Sequence, residues 1–105
     1  MAKRKVAKSG DYRKYLLGSL KDPEEAAAYI NAALDERDDP EALLVALRNV
    51  IEAHDGMTSL AFKSGLNRVS LYRMLSQNGN PRLESLSAVL QAMGLRLKVE
   101  QKVAS

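Results

Sequence analysis

Residues that start or stop helices recur along this 105-residue chain and divide it into short segments with a helical apolar pattern. The pairs Asp22-Pro23 and Asp39-Pro40 are typical helix starts. Asp caps free backbone N–H groups, and Pro is tolerated at the first helical position. We therefore predict helices from about Pro23 to Asp35 and from about Pro40 to Ala53. Helices of this length are stabilised mainly by packing their apolar faces against neighbours.

Glycines and one polar cluster interrupt the apolar pattern in the second half of the chain. Gly65 and Gly94 are candidate helix stops, Asn67 is a candidate N-cap, and the cluster Asn78–Pro81 is a strong break. The apolar residues between these breaks recur at helical spacing. The helices predicted from them cover residues 58–64, 68–77 and 83–93.

The segment Leu95–Glu100 alternates strictly between apolar and charged residues, which predicts a short, half-buried C-terminal β-strand. A lone strand needs a partner, and within the chain only residues around Tyr12–Leu17 offer one. The alternative is pairing with the same segment of a second copy, which would make the protein a homodimer. The exposed side of the last predicted helix is the other candidate dimer interface.

Composition excludes several classes of site. The chain has no Cys and a single His, so a disulfide framework, a zinc finger and a Cys–His dyad are excluded. His54 is expected at a helix end, where a partly positive imidazole suits the dipole. No paired carboxylates, phosphate-binding loop or nucleophile–base set emerges, so we predict a protein that is not an enzyme and uses no metal or cofactor. We also expect a cytoplasmic protein without a membrane partner, because no segment reads as a bilayer span or a secretory signal.

The formal net charge of +3 conceals a strong segregation of charge along the chain. Residues 1–10 carry +4, residues 11–56 carry −6 and residues 57–105 carry +5. Such asymmetry suggests two faces with two partners. We expect residues 1–10 to be a basic flexible arm that either touches phosphate or has no role. Residues 11–100 are expected to form a single domain, followed by a tail over residues 101–105.

Residues 57–76 fit a helix-turn-helix. Ala61 is small where the two helices would cross closely, and Gly65 permits a sharp turn with positive φ. Ser64 is a mismatch, because an apolar residue is expected at its position. The side chains expected to point inward are Leu60, Leu66, Leu71 and Met74.

The second helix of this pair would be a recognition helix that inserts its N-terminal end into the major groove. Arg68 is expected to read a guanine edge, and Val69 a thymine methyl group. Tyr72 and Arg73 would reach bases or phosphates, and further phosphate contacts would come from the first helix and from residues after the second. The candidate DNA-binding residues are Thr58, Ser59, Lys63, Asn67, Arg68, Val69, Tyr72, Arg73, Asn80 and Arg82.

Several stretches of the chain resemble known families. Residues 59–61, 65–67 and 79–86 look like the helix-turn-helix of the phage-repressor (Xre/Cro) group. Further similar stretches include Ala28–Ile30, His54–Met57, Ser70–Ser76 and Ala92–Leu97. With them, about residues 11–100 resemble the addiction-module antidote proteins. These are HigA-type antitoxins, typically encoded beside a toxin of the RelE/ParE type. One departure is Met57, where many members of the repressor group carry a Gln that clamps a phosphate.

This resemblance implies an all-α, lambda-repressor-like five-helix bundle that dimerises and represses its own operon by binding operator DNA. It also implies a RelE/ParE-type toxin as partner, neutralised by protein–protein binding. The acidic segment 11–56 either faces a basic toxin or only caps helices and keeps the domain in solution. Two other functions stay open: a prophage-derived transcriptional regulator without a toxin partner, and a protein-interaction module whose helix-turn-helix is only structural.

Overall fold

The computed structural model describes residues 9–36 and 38–103, which contain six helices. They are α1 (Ser9–Ser19), α2 (Pro23–Leu34), α3 (Glu41–Ala53), α4 (Gly56–Ser64), α5 (Arg68–Met74) and α6 (Leu83–Ala92). The all-α prediction is confirmed, and this part of the chain holds one helix more than the expected five. Most of the predicted basic arm lies outside the described residues. No described helix is long and apolar enough to cross a membrane.

Capping sets the start of α2 as the Asp-Pro pattern predicts. The Asp22 carboxylate accepts a hydrogen bond from a backbone N–H of the first turn at 3.0 Å, and Pro23 is the first helical residue. The start of α3 differs, because Pro40 already has helical backbone angles and no side chain caps the helix. Asp39 contributes its backbone carbonyl instead, which accepts from the N–H of Ala42 at 3.0 Å.

Helix α3 lies at the centre of the fold and packs against α1, α2 and α4, while α4 also packs against α5 and α6. The apolar stripe predicted for α3 is buried, and it meets side chains from both halves of the chain. Complete burial of one such side chain contributes about 1.5–3 kcal/mol. The largest fully buried side chains are Leu20, Leu47, Val50, Ile51, Leu71, Leu75 and Val89.

A polar network ties the first three helices together. The Arg13 guanidinium of α1 donates to Oδ1 of Asn49 in α3 at 3.1 Å and forms an ion pair with Glu52. Asn49 is buried, and its Nδ2 donates to the Tyr29 hydroxyl of α2 at 2.8 Å. One buried amide therefore joins α1, α2 and α3, with both its oxygen and its nitrogen in hydrogen bonds.

His54 lies at the end of α3, as predicted, where it is the C-cap residue. Its Nε2 lies 2.9 Å from the backbone carbonyl of Leu20, the residue that follows α1. A carbonyl oxygen can only accept, so this nitrogen must carry the hydrogen. The imidazole thus fastens the end of α3 to the connection between α1 and α2.

Helix α6 ends in a Schellman motif, in which Gly94 has φ of +79° and the Leu95 N–H donates to the Leu90 carbonyl at 2.8 Å. The stop predicted at Gly94 is therefore confirmed. The C-terminal β-strand is not formed in this chain, because residues 95–103 have no regular secondary structure. Residues 12–17, the suggested internal partner, lie within α1, so they offer no strand edge.

Gly79 sets the connection between α5 and α6. A Cβ atom at this position would lie 2.0 Å from the backbone carbonyl oxygen of Met74. We expect Gly79→Ala to lower the free energy of unfolding by about 1–3 kcal/mol, because the backbone must shift to relieve the clash. Urea unfolding of the purified chain measures this change.

Gly18→Ala is the matched control, because Gly18 lies inside α1 and a Cβ there meets nothing within 4 Å. Ala is the better helix former, so this variant should gain about 0.5–1 kcal/mol. A Gly79→Ala variant that is as stable as the wild type would contradict the close approach of residue 79 to the Met74 carbonyl.

Candidate nucleic-acid interface

A tight turn joins α4 to α5. Gly65 has φ of +75°, as the sequence predicted, and its N–H donates to the Ala61 carbonyl at 3.1 Å. The Ser64 hydroxyl accepts from the N–H of Leu66 at 3.2 Å. This bond explains why a polar residue stands where the periodicity called for an apolar one: its side chain holds the turn.

Asn67 caps α5, as predicted. Its Oδ1 accepts from the backbone N–H of Ser70 at 3.1 Å, and its backbone is extended, as an N-cap requires. This bond engages the side-chain oxygen, so the amide nitrogen is left as the group available to a partner. Helix α5 ends at Met74, three residues before the predicted Gln77, because Leu75 leaves the helical conformation.

The inner side of α5 is anchored in the core. Leu71 and Leu75 are fully buried, and Leu60 of α4 is buried against the same cluster. Leu66 and Met74 are partly buried beside them, so all four side chains predicted to point inward are in the core or against it. The orientation of α5 is therefore fixed by burial on one side only.

Arg48 of α3 supports the same helix from its C-terminal end. Its guanidinium donates to the backbone carbonyl of Leu75, one of the carbonyls that a helix end leaves without an intrahelical partner. Sequence reasoning missed this residue. The available signal was its position at the edge of the apolar stripe of α3, four residues after Leu44 and three before Ile51.

The outer side of α5 carries the predicted base-reading residues. Val69 is 62% exposed and Tyr72 52% exposed, and Arg68 and Arg73 are exposed as well. The guanidinium carbon of Arg68 lies 5.7 Å from the centre of the Tyr72 ring. An exposed cation–π contact of this kind is worth about 0.5–1 kcal/mol and holds the two side chains together. The helix therefore presents a cation, an aromatic ring and a small apolar side chain.

Helix α4 contributes the remaining candidates before the turn. Thr58 is exposed in its first turn, whereas Ser59 is partly buried. Lys63, in the last turn, is exposed, and its Nζ lies 3.9 Å from a carboxylate oxygen of Asp55. An exposed pair at this distance contributes about 0–1 kcal/mol, so it leaves the ammonium group free to exchange partners.

The last two candidates follow α5. Asn80 is exposed in the connection, and Arg82 is exposed at the residue before α6. From residue 56 to residue 92 the chain carries four basic residues and one acidic residue. In the described residues, no group of three or more His, Asp or Glu is placed to hold a metal ion. The excess of basic residues makes this surface suited to binding a polyanion.

Met57, at which the sequence departs from the repressor-group pattern that it resembles, is the second residue of α4. Here it is partly buried and packs against the core. It also lines a groove of about 410 Å³ between α3, α4 and α5, together with Tyr72 and Leu75. Its side chain therefore makes apolar contacts at the base of α5.

Comparison with known proteins identifies the family of this chain. The chain is 35% identical over 82 residues to an uncharacterized protein of Haemophilus influenzae, and the aligned region covers 78% of this chain and 82% of the relative. No solved structure matches the chain. A family model described as "probable addiction module antidote protein" matches residues 11–101. The chain therefore belongs to the family of probable addiction module antidote proteins.

Proposed function

We propose that this chain is a sequence-specific, double-stranded-DNA-binding antitoxin that represses its own operon as a homodimer. The same chain neutralises a RelE/ParE-type toxin by direct binding. The observation that carries the DNA-binding part is the arrangement of α5, which buries Leu71 and exposes Arg68, Val69 and Tyr72, with Leu75 buried directly after its end. A helix that is anchored on its inner side and exposes basic, apolar and aromatic side chains on its outer side is suited to binding in the major groove.

Base readout is assigned to the first turns of α5. Arg68 has the fork of donors that matches the O6 and N7 atoms of guanine, and Val69 offers a methyl contact to thymine. The Tyr72 ring beside Arg68 restricts the guanidinium before DNA is bound, which lowers the entropy lost on binding. Asn67 donates from its amide nitrogen, and Arg73 reaches bases or phosphates.

Phosphate binding is assigned to residues on both sides of α5. Thr58 and Lys63 of α4 precede α5 along the chain, and Asn80 and Arg82 follow it. Contacts on both sides would fix the angle at which α5 enters the groove without reading sequence. Ser59, being partly buried, contributes least among the candidate residues.

The antitoxin part of the proposal rests on the family. An antidote protein implies a toxin of some kind, and the RelE/ParE type is carried over from the resemblance of the sequence. A prophage-derived regulator without a toxin would share the same DNA surface. A small basic protein encoded beside this gene separates the two, because only the antitoxin needs one.

Gel-shift titration against the upstream DNA of this gene and against a scrambled duplex tests the DNA-binding proposal. We expect tighter binding to the upstream DNA. Several phosphate contacts per subunit should also lower the affinity about 10³-fold between 50 and 200 mM salt.

Arg68→Ala should weaken binding to the upstream DNA by about 1–3 kcal/mol and relax base preference. Lys63→Ala should weaken both duplexes alike and reduce the salt slope by about 1.

Arg68→Lys is the matched control, because it keeps the positive charge and removes the guanidinium fork. It should lose discrimination between the duplexes while retaining most of the affinity for the scrambled one. Equal effects of Arg68→Ala and Lys63→Ala on both duplexes would show that Arg68 does not read a base. Equal affinity of the wild type for both duplexes would defeat the autorepressor role.

Dimerisation is proposed through the C-terminal segment. Its apolar residues alternate with charged ones, and in the single chain Val99 is 95% exposed while Leu97 and Val103 are also exposed. Pairing with the same segment of a second copy would supply the missing strand partner and cover these side chains. A two-fold dimer would present two α5 helices to adjacent major grooves, about 34–36 Å apart.

Removal of residues 96–105 should convert the dimer to a monomer in sedimentation velocity. The cut follows Leu95, so the backbone hydrogen bond that ends α6 is retained. Val99→Pro is a milder variant, because it removes one strand N–H at a fully exposed position, and it should weaken the dimer. A dimer that survives both changes would rule out the C-terminal segment as the dimer interface. The exposed side of α6 would then be the remaining candidate interface.

A further inference from the structure

A second groove lies on the acidic half of the chain, between α2 and α3. It has a volume of about 360 Å³ and shares no residue with the α4–α5 surface. Tyr29, Val45 and four alanines form its apolar part, and three acidic residues complete its lining. The lining residues are Tyr29, Ala32, Ala33, Glu36, Asp39, Glu41, Ala42, Val45 and Ala46.

The apolar part of this groove is accessible to a partner. Val45 lies in the middle of α3 and is 41% exposed, although the helix is otherwise the most buried of the fold. Tyr29 is partly buried and lines the groove, and its hydroxyl accepts a hydrogen bond from Asn49. An inserted apolar side chain would remove this surface from water, which is the main source of binding free energy at such contacts.

The charges around the groove select the partner. Glu36, Asp39 and Glu41 line it, and the ion pairs found among residues 9–36 and 38–103 involve none of them. Oε1 of Glu41 is sealed from solvent and has no hydrogen-bond donor within the described residues. Glu36 and Asp39 are exposed, so their carboxylates are the ones that a cationic side chain of a partner can reach.

We propose that the α2–α3 groove is the surface that binds the toxin. Its occupant is a toxin segment that places one apolar side chain against Tyr29 and Val45, with a flanking Lys or Arg directed at Glu36 and Asp39. This inference rests on the proposed antitoxin function and deepens it. The groove and α5 share no residue, so toxin and DNA would not compete for the same side chains.

The experiment uses the protein encoded by the reading frame beside this gene as the probe. Full-length chain variants are co-expressed with it to measure growth rescue, and purified pairs are titrated by calorimetry. Val45→Glu places a carboxylate in the apolar part, and Ala32→Lys places a cation on the facing helix at another exposed position. We expect each to weaken toxin binding at least tenfold and to reduce rescue, with binding to upstream DNA retained.

Phe62→Glu is the matched control, since Phe62 is an exposed apolar residue on α4 and lies outside the groove. Its toxin affinity should equal that of the wild type. If Val45→Glu and Ala32→Lys rescue growth as well as the wild type does, the groove is not the toxin-binding surface. The antitoxin function would still hold in that case. An equal loss in all three variants would also overturn the assignment to the groove. Failure of the wild type to bind or to rescue would overturn the antitoxin function itself.

Discussion

A helix of seven residues is unstable in water, because too few hydrogen bonds form to repay the cost of starting the helix. Helix α5 therefore depends on the burial of Leu71 and Leu75, which insert into a core built around α3. The Asn67 cap and the Arg48 guanidinium hold its two ends. Everything proposed for DNA binding follows from this anchoring, since it decides which side of the helix remains exposed.

Local signals predicted much of the fold. The Asp22-Pro23 pair, the glycines at 65 and 94 and the Asn67 cap act within a few residues of their own position, and the structure places all of them as predicted. The apolar spacing of α3 also predicted its burial. Such features can be read from sequence because the groups that interact are close neighbours along the chain.

Features that depend on distant contacts escaped the sequence. Helix α1 has no continuous apolar stripe, and it is held to α3 by Arg13, whose partners lie 36 and 39 residues away. The strand predicted over residues 95–100 has the right alternation but no partner in the chain. Exposure on α5 was predicted correctly for Arg68 and Val69, while the partial burial of Ser59 and the role of Ser64 depend on how α4 packs.

The segregation of charge now has a structural counterpart. The acidic half of the chain forms the groove between α2 and α3, and the basic half forms the exposed side of α4 and α5. The family gives the chain an antidote role, and we propose a separate surface for each partner. The two proposed functions use surfaces of opposite charge, and they require that these surfaces share no residue.

Amide chemical-shift mapping of the isotope-labelled chain with a duplex of its upstream DNA tests whether α5 is the DNA-binding element. We expect the largest shifts on residues 67–73 and on the exposed residues of α4, with the amides of α2 little changed. Shifts concentrated on α2 and α3, or no difference between the upstream duplex and a scrambled one, would contradict this expectation.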